Sequence, residues 1–550
     1  MRKSFATLLL LTVSIATVLP ATMFAQGNNP LPPQATEHRA EVSQPIHFDT
    51  SPRPLREMTE PRERPAVARG GRDFKPGSPQ PVGNVNPTTT DPLAAKGTGP
   101  TVAFAQPKAS TVGTPIDPNY RVAPPDTTGD LGPNHYVQWV NLRYSIYTLT
   151  RDTNNQITAF NLVAGFPKQG NTPWVGFGGQ CETANDGDPI VQYDQFADRW
   201  ILTQFAVSSS PYLQCVAVST SPDPTGSYYR YSYSYGTDFN DYPKMGVWRD
   251  AYYITYNMFR RGRTFTGNQV CAFERDKMLI GASARQLCVK TSNSYHSLEP
   301  ADIEGPTLPA VGTANPLLSI TSSALHSWKF AVNWIAGTGT LSGPTAVAGV
   351  AAFSRACGGG TCIPQPGTNQ QLDSLADRLM YRLSYRNFGT YETLLINHSV
   401  AANSGVGVRW YELRNASGQT ISSATPVVSQ QGTYAPTSSD YRWMGSAAMD
   451  KTGGIAIGYN ISNGSSIKPS IRYAYRGPSD TLGTLGSETS ILAGPGVQTG
   501  NQLSRWGDYS TISVDPVDGC TMVFTTEYIP SDGSFNWSTY IHSFKLTTCQ

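Results

Sequence analysis

The chain has 550 residues, of which 39% are hydrophobic and 15% are charged, with a formal net charge of +2 at pH 7. Charged residues make up about 25% of an average soluble protein, so this surface must rely on hydroxyl and amide groups. The small net charge excludes the broad basic surface typical of nucleic-acid-binding proteins. No run of about 18 apolar residues follows the N-terminal region, which excludes a later membrane-spanning helix.

The N-terminus has the pattern of an export signal. Arg2 and Lys3 precede an apolar stretch from Phe5 to Leu19, and we expect cleavage near Ala25. An uncleaved anchor is the alternative, and the short apolar stretch argues against it. Residues 1–25 are therefore predicted to be a signal peptide, and the mature protein is expected to be secreted, periplasmic or at the cell surface.

Residues 26–104 are rich in proline, glycine, threonine and charge, as in Pro61-Arg62-Glu63-Arg64-Pro65. Such a composition buries too little apolar surface to offset the entropy lost on ordering. We therefore predict a disordered linker or pro-segment here, followed by one domain over residues 105–550.

A strand-turn-strand module recurs along this domain. Each copy has a polar start, a short apolar strand, an Asp- or Asn-led turn and a second strand rich in aromatic residues. The predicted unit starts are Asp130, Asp188, Asp241, Pro306, Asp377, Arg442 and Arg505, at steps of 53 to 71 residues. Repetition at such a period predicts an all-β fold formed by a single β-propeller, and a four-stranded blade needs roughly 40 residues. Seven blades are expected; six are the alternative, because no Asp-led turn follows the start at Pro306.

The eight cysteines suit an oxidising compartment. Their proximity within single units predicts four local disulfides: Cys181–Cys215, Cys271–Cys288, Cys357–Cys362 and Cys520–Cys549. Zinc is the alternative for Cys357 and Cys362, but no histidine or further cysteine clusters with them in the sequence. The last pair would hold the final strand, at Tyr540 to Lys545, on the last blade.

The segment Ser221-Pro222-Asp223-Pro224-Thr225-Gly226-Ser227-Tyr228 resembles the Asp-box of sialidase-like propellers. Looser versions start at Met449 and Ser513. Over about residues 115–549 the chain resembles that superfamily, and more closely secreted propellers that carry segments like 126–130 and 505–510. In the Asp-box the aspartate caps a hairpin turn, which is a structural role.

The inner ends of equivalent units converge around a propeller's channel, so we expect a polar site there. In sialidases three arginines hold the substrate carboxylate, a tyrosine attacks the anomeric carbon with help from a glutamate, and an aspartate is the acid/base. The resemblance implies that Arg378, Arg442 and Arg505 form the arginine triad. It also implies Tyr509 or Tyr242 as the nucleophile and Asp188 or Asp241 as the acid. Trp443, Trp506 and Asp508 complete the expected ligand-binding set.

The sequence departs from sialidases in two ways. It has no Phe/Tyr-Arg-Ile-Pro motif, and no glutamate stands beside either tyrosine, the nearest to Tyr509 in its unit being Glu527. True sialidase chemistry is therefore not predicted. The expected function is binding, with hydrolysis left open, of an acidic or hydroxyl-rich glycan.

The alternative is a non-catalytic interaction or adhesion scaffold, in which Trp443 and Trp506 are wedges between blades and the charged residues hold blades in register. No cofactor is predicted, although Asp126, Asp130 and Asp188 remain candidates for a structural calcium ion. We expect a monomer whose partner is a glycan or another extracellular surface ligand, with no nucleic-acid partner.

Overall fold

The computed structural model describes residues 37–61, 69–70, 91–94, 104–105, 109–415, 419–500 and 502–549. The predicted signal peptide at residues 1–25 lies outside these ranges. Among the described residues, no helix combines the length and the apolar character needed to cross a bilayer.

Strands dominate the described chain. In order they are β1 Glu37–Arg39, β2 Glu41–Ser43, β3 His47–Thr50, β4 Arg69–Gly70, β5 Phe104–Ala105, β6 Ser110–Val112, β7 Val122–Ala123, β8 Thr128–Leu131, β9 His135–Val140, β10 Arg143–Arg151, β11 Ile157–Leu162, β12 Lys168–Gln169, β13 Ile190–Asp194, β14 Arg199–Ala206, β15 Leu213–Ser219, β16 Tyr228–Ser234, β17 Asp238–Val247, β18 Tyr252–Arg260 and β19 Thr264–Phe273.

They continue as β20 Gln286–Lys290, β21 Glu299–Glu304, β22 Asn315–Ile320, β23 Leu325–Asn333, β24 Thr338–Ala346, β25 Thr361–Gln365, β26 Thr368–Asp373, β27 Met380–Asn387, β28 Glu392–Ala402, β29 Gly405–Arg414, β30 Val427–Tyr434, β31 Tyr441–Met449, β32 Ile455–Ser462, β33 Ser470–Arg476, β34 Thr489–Leu492, β35 Thr511–Val514, β36 Met522–Tyr528 and β37 Ser538–Leu546. The helical segments are α1 Gly179–Thr183, α2 Arg275–Met278 and 3-10 turns at Leu55–Glu57, Thr172–Trp174 and Ala356–Gly359.

Four separate five-stranded sheets have the arrangement of propeller blades. They contain β8–β12, β13–β16 with β3, β17–β20 with β2, and β35–β37 with β5 and β6. Middle strands such as β18 are buried almost throughout, because both faces of the sheet pack against neighbours. Their sequences therefore read as nearly continuous apolar and aromatic runs.

The remaining blade-like strands join one 13-stranded sheet. It contains three antiparallel meanders, β21–β24, β27–β30 and β31–β34. Parallel pairing joins β21 to β27, where Ala301 lies opposite Leu383, and β29 to β31 at Val406 and Tyr441. The prediction of seven blades, with six as the alternative, is thus corrected: in the described chain four blade-like sheets are separate, and backbone hydrogen bonds join the other three meanders into one sheet. The unit placed at Pro306 begins instead with β21, at Glu299.

The innermost strands form a closed ring around the channel. In order of contact they are β8, β13, β17, β21, β27, β31 and β35, and β35 returns to β8. Neighbouring inner strands approach each other closely. A Cβ on Gly246 of β17 would lie 2.4 Å from the carbonyl oxygen of Ala301 in β21, so glycine is required there. The all-β fold and the propeller-like arrangement predicted from the repeats are confirmed.

The segment that we call the N-terminal strap, residues 37–50, runs along three sheets. Its strands β1, β2 and β3 pair with the outer strands β24, β20 and β16 respectively. The strap covers backbone groups that would otherwise be left unpaired at exposed sheet edges. The predicted disorder of residues 26–104 is therefore corrected for residues 37–50. The side chains of these short strands are mostly exposed, so the strands lack the apolar pattern by which a sequence reveals them.

Two devices close the last sheet. The strand β6, which precedes the first blade, pairs with β37 and supplies the outer strand. The Cys520–Cys549 disulfide spans the β36–β37 hairpin. All four predicted disulfides, at Cys181–Cys215, Cys271–Cys288, Cys357–Cys362 and Cys520–Cys549, are confirmed.

One buried arginine bridges the channel. The guanidinium of Arg382 in β27 lies 2.7 Å from Asp302 Oδ2, 2.7 Å from Glu304 Oε1 and 3.4 Å from Asp130 Oδ2. All four side chains are buried. Burial raises the pKa of Asp302 to about 7, and the charge of Arg382 opposes that rise. The arginine thus balances carboxyl groups from two other inner strands.

We expect Arg382→Met to destabilise the fold by about 3 to 5 kcal/mol, because it leaves buried carboxyl groups without their cation. Chemical denaturation at pH 7 measures this loss. The matched control is Lys290→Met, since Lys290 is 43% exposed and its ion pair with Asp238 should contribute only about 0 to 1 kcal/mol. Equal losses in the two variants would contradict the bridging role.

Candidate functional site

The chain bends just before or within several innermost strands. The residues at these bends have positive φ angles although none is glycine: Asp126 at 49°, Asp188 at 45°, Tyr242 at 53°, Ser297 at 50°, Met444 at 55° and Asp508 at 55°. Aspartate tolerates this region better than most residues, whereas tyrosine and methionine rarely adopt it. Such strained residues cluster at functional sites, so the mouth of the channel is the candidate site.

Asp188 is the centre of a hydrogen-bond network at this mouth. The Tyr509 hydroxyl donates to Asp188 Oδ2 at 3.1 Å, and the Tyr242 backbone N–H donates to the same oxygen at 3.2 Å. The Asp188 N–H donates to Asn141 Oδ1 at 2.9 Å. Asp188 is partly exposed, so a ligand could reach its carboxyl group.

Lys244 lies between two tyrosine rings. Its Nζ is 3.3 Å from the ring centroid of Tyr242 and 3.4 Å from that of Tyr509, and it donates to the Pro243 carbonyl at 3.0 Å. The side chain is fully buried, so the two rings take over part of the stabilisation that water would give the ammonium group. Lys244 was not among the candidate residues of the sequence analysis.

Burial perturbs the proton affinity of Lys244 and of its neighbour Glu299. It lowers the pKa of Lys244 to about 7, a change that the Glu299 carboxyl opposes. It raises the pKa of Glu299 to about 8, and Lys244 opposes that rise. Two buried groups of opposite charge that titrate near neutral pH therefore interact electrostatically in this region.

Three further carboxyl groups at the mouth have raised pKa values. For Asp126 and Asp241 the largest cause is burial and the next is the charge of Asp188. Burial also raises the pKa of Asp508, while Arg505 lowers it. Asp241 remains partly exposed, unlike Asp126 and Asp508. Closely spaced carboxyl groups with different environments are typical of acid–base sites.

Two of the three predicted arginines reach the mouth, and each carries its own carboxylate. Arg378 binds Asp377 through two hydrogen bonds of 2.8 and 3.0 Å, with its Cζ 4.4 Å from the Tyr242 ring centroid. Arg505 Nη2 lies 2.5 Å from Asp508 Oδ2. Both arginines act electrostatically on Asp241.

Arg442 does not join this cluster. It is buried and binds Glu488 through Nε at 3.0 Å and Nη2 at 3.1 Å. The expected arginine triad is therefore not assembled. Glu488 precedes β34, and no local pattern in the sequence links it to Arg442.

Trp443 and Trp506 are core residues rather than parts of an open ligand surface. Both are 0% exposed, and their ring centroids are 5.6 Å apart. They belong to an apolar cluster that also contains Tyr242 and Tyr509. A ligand could not reach either indole without rearrangement of this cluster.

A segment between β24 and β27, residues 355–379, packs onto the same apolar cluster. It contains the β25–β26 hairpin and the Cys357–Cys362 disulfide. The Asp373 N–H donates to the Ser504 carbonyl at 2.8 Å, which ties the segment to the chain just before Arg505. The sequence analysis did not predict this segment. The one sign of it in the sequence was the long step between the units at Pro306 and Asp377.

Other candidate residues have structural partners. Asp130 binds Arg382, away from Asp126, and a search of the described ranges finds no group of three His, Cys, Asp or Glu side chains suited to a metal ion. The calcium alternative thus gains no support. Glu527 accepts the Gly507 N–H at 2.6 Å, whereas Tyr509 bonds to Asp188, so the tyrosine–glutamate pair of sialidases is not formed.

The aspartates of the three segments that resemble an Asp-box lie outside the site. Asp223 accepts the Thr225 N–H at 2.8 Å, and Asp450 accepts the Gly454 N–H at 2.9 Å. Asp515 accepts the N–H of residue 517 at 3.0 Å. Each therefore stabilises its own turn.

No protein-family model and no curated protein matches this chain. Among solved structures it is similar to an exo-β-1,3-galactanase from Clostridium thermocellum, with 11% identity over 66% of this chain and 78% of that chain and a TM-score of 0.27. It is also similar to an α-L-arabinofuranosidase from Fusarium graminearum, with 9% identity over 82% of this chain and 99% of that chain and a TM-score of 0.34.

Trypanosoma rangeli sialidase gives 10% identity over 72% of this chain and 57% of that chain, with a TM-score of 0.30. A sialidase is thus among the solved structures that the chain resembles, as its sequence led us to expect. These similarities are too distant to bear on its activity.

We expect Glu299→Gln to flatten the fall in stability between pH 5 and pH 8. Unfolded glutamate ionises near 4.5, whereas folded Glu299 keeps its proton up to about pH 8. The folded chain thus binds the extra proton in this window, and its stability falls as pH rises. The drop in unfolding free energy should be roughly 1 to 3 kcal/mol smaller in the variant.

Thermal unfolding of both proteins across this pH range, with denaturant titrations at pH 5 and pH 8, measures the difference. The exposed Glu57 supplies the control Glu57→Gln, which should leave the pH profile unchanged. Parallel profiles for wild type and Glu299→Gln would contradict the assignment.

Proposed function

We propose that this protein binds a glycan at the channel mouth and hydrolyses a glycosidic bond there, with Asp188 and Asp241 as the reacting carboxyl groups. The observation that carries the proposal is the presence of two partly exposed carboxyl groups at the start of β13 and in β17, in different environments. Glycoside hydrolysis needs one carboxyl group that donates a proton and a second that acts as base or nucleophile.

Asp241 suits the acid. Burial and the charge of Asp188 raise its pKa well above the ordinary value, so it retains a proton at a higher pH than a free aspartate. A protonated carboxyl group can donate to the glycosidic oxygen as the bond to the leaving sugar breaks. Its partial exposure gives the substrate access to that proton.

Asp188 suits the base or nucleophile. It accepts hydrogen bonds from the Tyr509 hydroxyl and the Tyr242 backbone, which fix its orientation. Burial raises the pKa of both tyrosines well above their usual range, which disfavours a phenolate nucleophile. We therefore assign Tyr242 and Tyr509 a positioning role in place of the expected attack.

Ligand binding is assigned to the rim around these carboxyl groups. Arg505 is partly exposed and offers donors that match sugar hydroxyl groups, while the buried Asp508 positions it through their ion pair. Arg442, Trp443 and Trp506 are not part of this binding set.

The architecture supports the location of the site. The three meanders of the 13-stranded sheet continue the ring that the four separate sheets begin. Their first strands, β21, β27 and β31, complete the ring of inner strands. Residues at the starts of distant units then meet around one axis, as the hydrogen bond between Tyr509 and Asp188 illustrates.

We further propose that the protein is exported. Four disulfides stabilise the described chain, and such bonds persist in oxidising compartments. The apolar stretch after Arg2 and Lys3 would supply the signal.

The test compares Asp188→Asn and Asp241→Asn with Arg442→Ala. We expect each Asn variant to lose about 10²- to 10⁴-fold in hydrolysis, the usual contribution of acid–base catalysis, with nearly unchanged melting temperature. Arg442→Ala should lower the melting temperature, because Glu488 loses one of its two arginine partners and the buried side chain of Arg442 is removed, while the remaining folded protein keeps its activity. Release of reducing ends from a polysaccharide panel and thermal unfolding are the two measurements.

The second candidate is a non-catalytic scaffold, favoured by the burial of Trp443, Trp506 and Arg442 between strands. It predicts that Arg505→Ala and Arg442→Ala both lower the melting temperature and that neither changes glycan binding. The glycan proposal predicts lost binding in Arg505→Ala alone. A protein that folds normally but binds no glycan in the panel would overturn the first proposal.

A further inference from the structure

Three cations near the mouth are already paired or buried. Arg378 holds Asp377 through two hydrogen bonds, and Arg505 holds Asp508. Lys244 is 0% exposed and lies between the rings of Tyr242 and Tyr509. Each of these three positive charges is thus engaged within the protein.

The groups that face solvent have the opposite character. Asp188 and Asp241 are partly exposed carboxyl groups, and the partly exposed Arg505 is bound to Asp508. An incoming carboxylate would meet these carboxyl groups and could pair with an arginine only by displacing Asp377 or Asp508. Displacement would leave a buried carboxyl group without its cation, which is unfavourable.

We propose that the glycan bound at this mouth is uncharged, which rests on the proposed function and narrows its substrate class. Hydroxyl groups of a neutral sugar donate to carboxylate oxygens and accept from guanidinium N–H groups without disrupting either ion pair. Like charges placed together across an interface discriminate against the wrong partner. The acidic glycans considered from the sequence are disfavoured for the same reason.

Asp188 is the specificity-determining residue in this account. It lies at the centre of the mouth and accepts from Tyr509 and Tyr242 through one oxygen, Oδ2. Asp188 is partly exposed, and its carboxyl group also interacts with that of Asp126. A carboxylate on the ligand would approach Asp188 as a like charge, so replacing Asp188 by an uncharged residue should weaken the preference for uncharged glycans.

The experiment measures binding to matched pairs of polysaccharides that differ in charge. Suitable pairs are methyl-esterified and free polygalacturonate, hydroxyethyl- and carboxymethylcellulose, and xylan with and without glucuronic acid side chains. We expect at least one uncharged member to bind at least about tenfold more tightly than its acidic partner, equivalent to about 1.4 kcal/mol. High salt should reduce the difference, because it screens the repulsion.

Asp188→Asn tests the residue itself. In this variant the ratio between the two affinities of a binding pair should fall at least about threefold, equivalent to about 0.7 kcal/mol, while uncharged binding persists. The control Asp532→Asn changes an aspartate that is 58% exposed and pairs with Lys468, and it should leave the ratio unchanged. Thermal unfolding checks that both variants are folded.

Three results would overturn the inference. Tighter binding of any acidic member than of its uncharged partner would do so and leave the glycan-binding proposal standing. A salt-independent preference in the wild type would remove its electrostatic basis, whatever the behaviour of the Asp188 variant. Absence of binding to every member would overturn the proposed function together with this inference.

Discussion

A single buried guanidinium, that of Arg382, links three of the innermost strands of this fold. Arg382 reaches from β27 to carboxyl groups on β21 and β8, which lie on different sides of the channel. Strand pairing fixes the spacing of β21 and β27 but not their distance from β8, whereas the charge of Arg382 requires all three strands to stay within reach of its guanidinium. The network lies within the ring of inner strands and forms a polar base there. A buried charge of this kind constrains geometry more than it adds stability.

The site depends on this base because its side chains come from strands far apart in sequence. Asp188 and Tyr509 are 321 residues apart and share a hydrogen bond. The positive-φ bends at Asp188, Tyr242 and Asp508 store strain that the surrounding packing must hold. Lys244, clamped between two tyrosines, stabilises the same region through its contacts with both rings. The mouth is therefore preorganised before any ligand arrives.

The sequence revealed the repeated units because an Asp-led turn and an aromatic strand form a local signal. That signal placed the starts near Asp188 and Asp241 and paired the cysteines. It failed at Pro306, where no Asp-led turn follows the start and where the positive-φ residue before β21 is Ser297 rather than an aspartate. It also failed for Arg442, whose partner Glu488 is 46 residues away. Partners of this kind depend on tertiary packing, which spacing in one sequence does not encode.

The N-terminal strap, residues 37–50, protects three sheets from self-association. Its three short strands lie against the perimeter of the ring, where β24, β20 and β16 would each offer free N–H and C=O groups. A protease that removed the strap would leave these three sheet edges unpaired. Molecules cut in this way would associate edge to edge, so the strap prevents self-assembly of the folded chain.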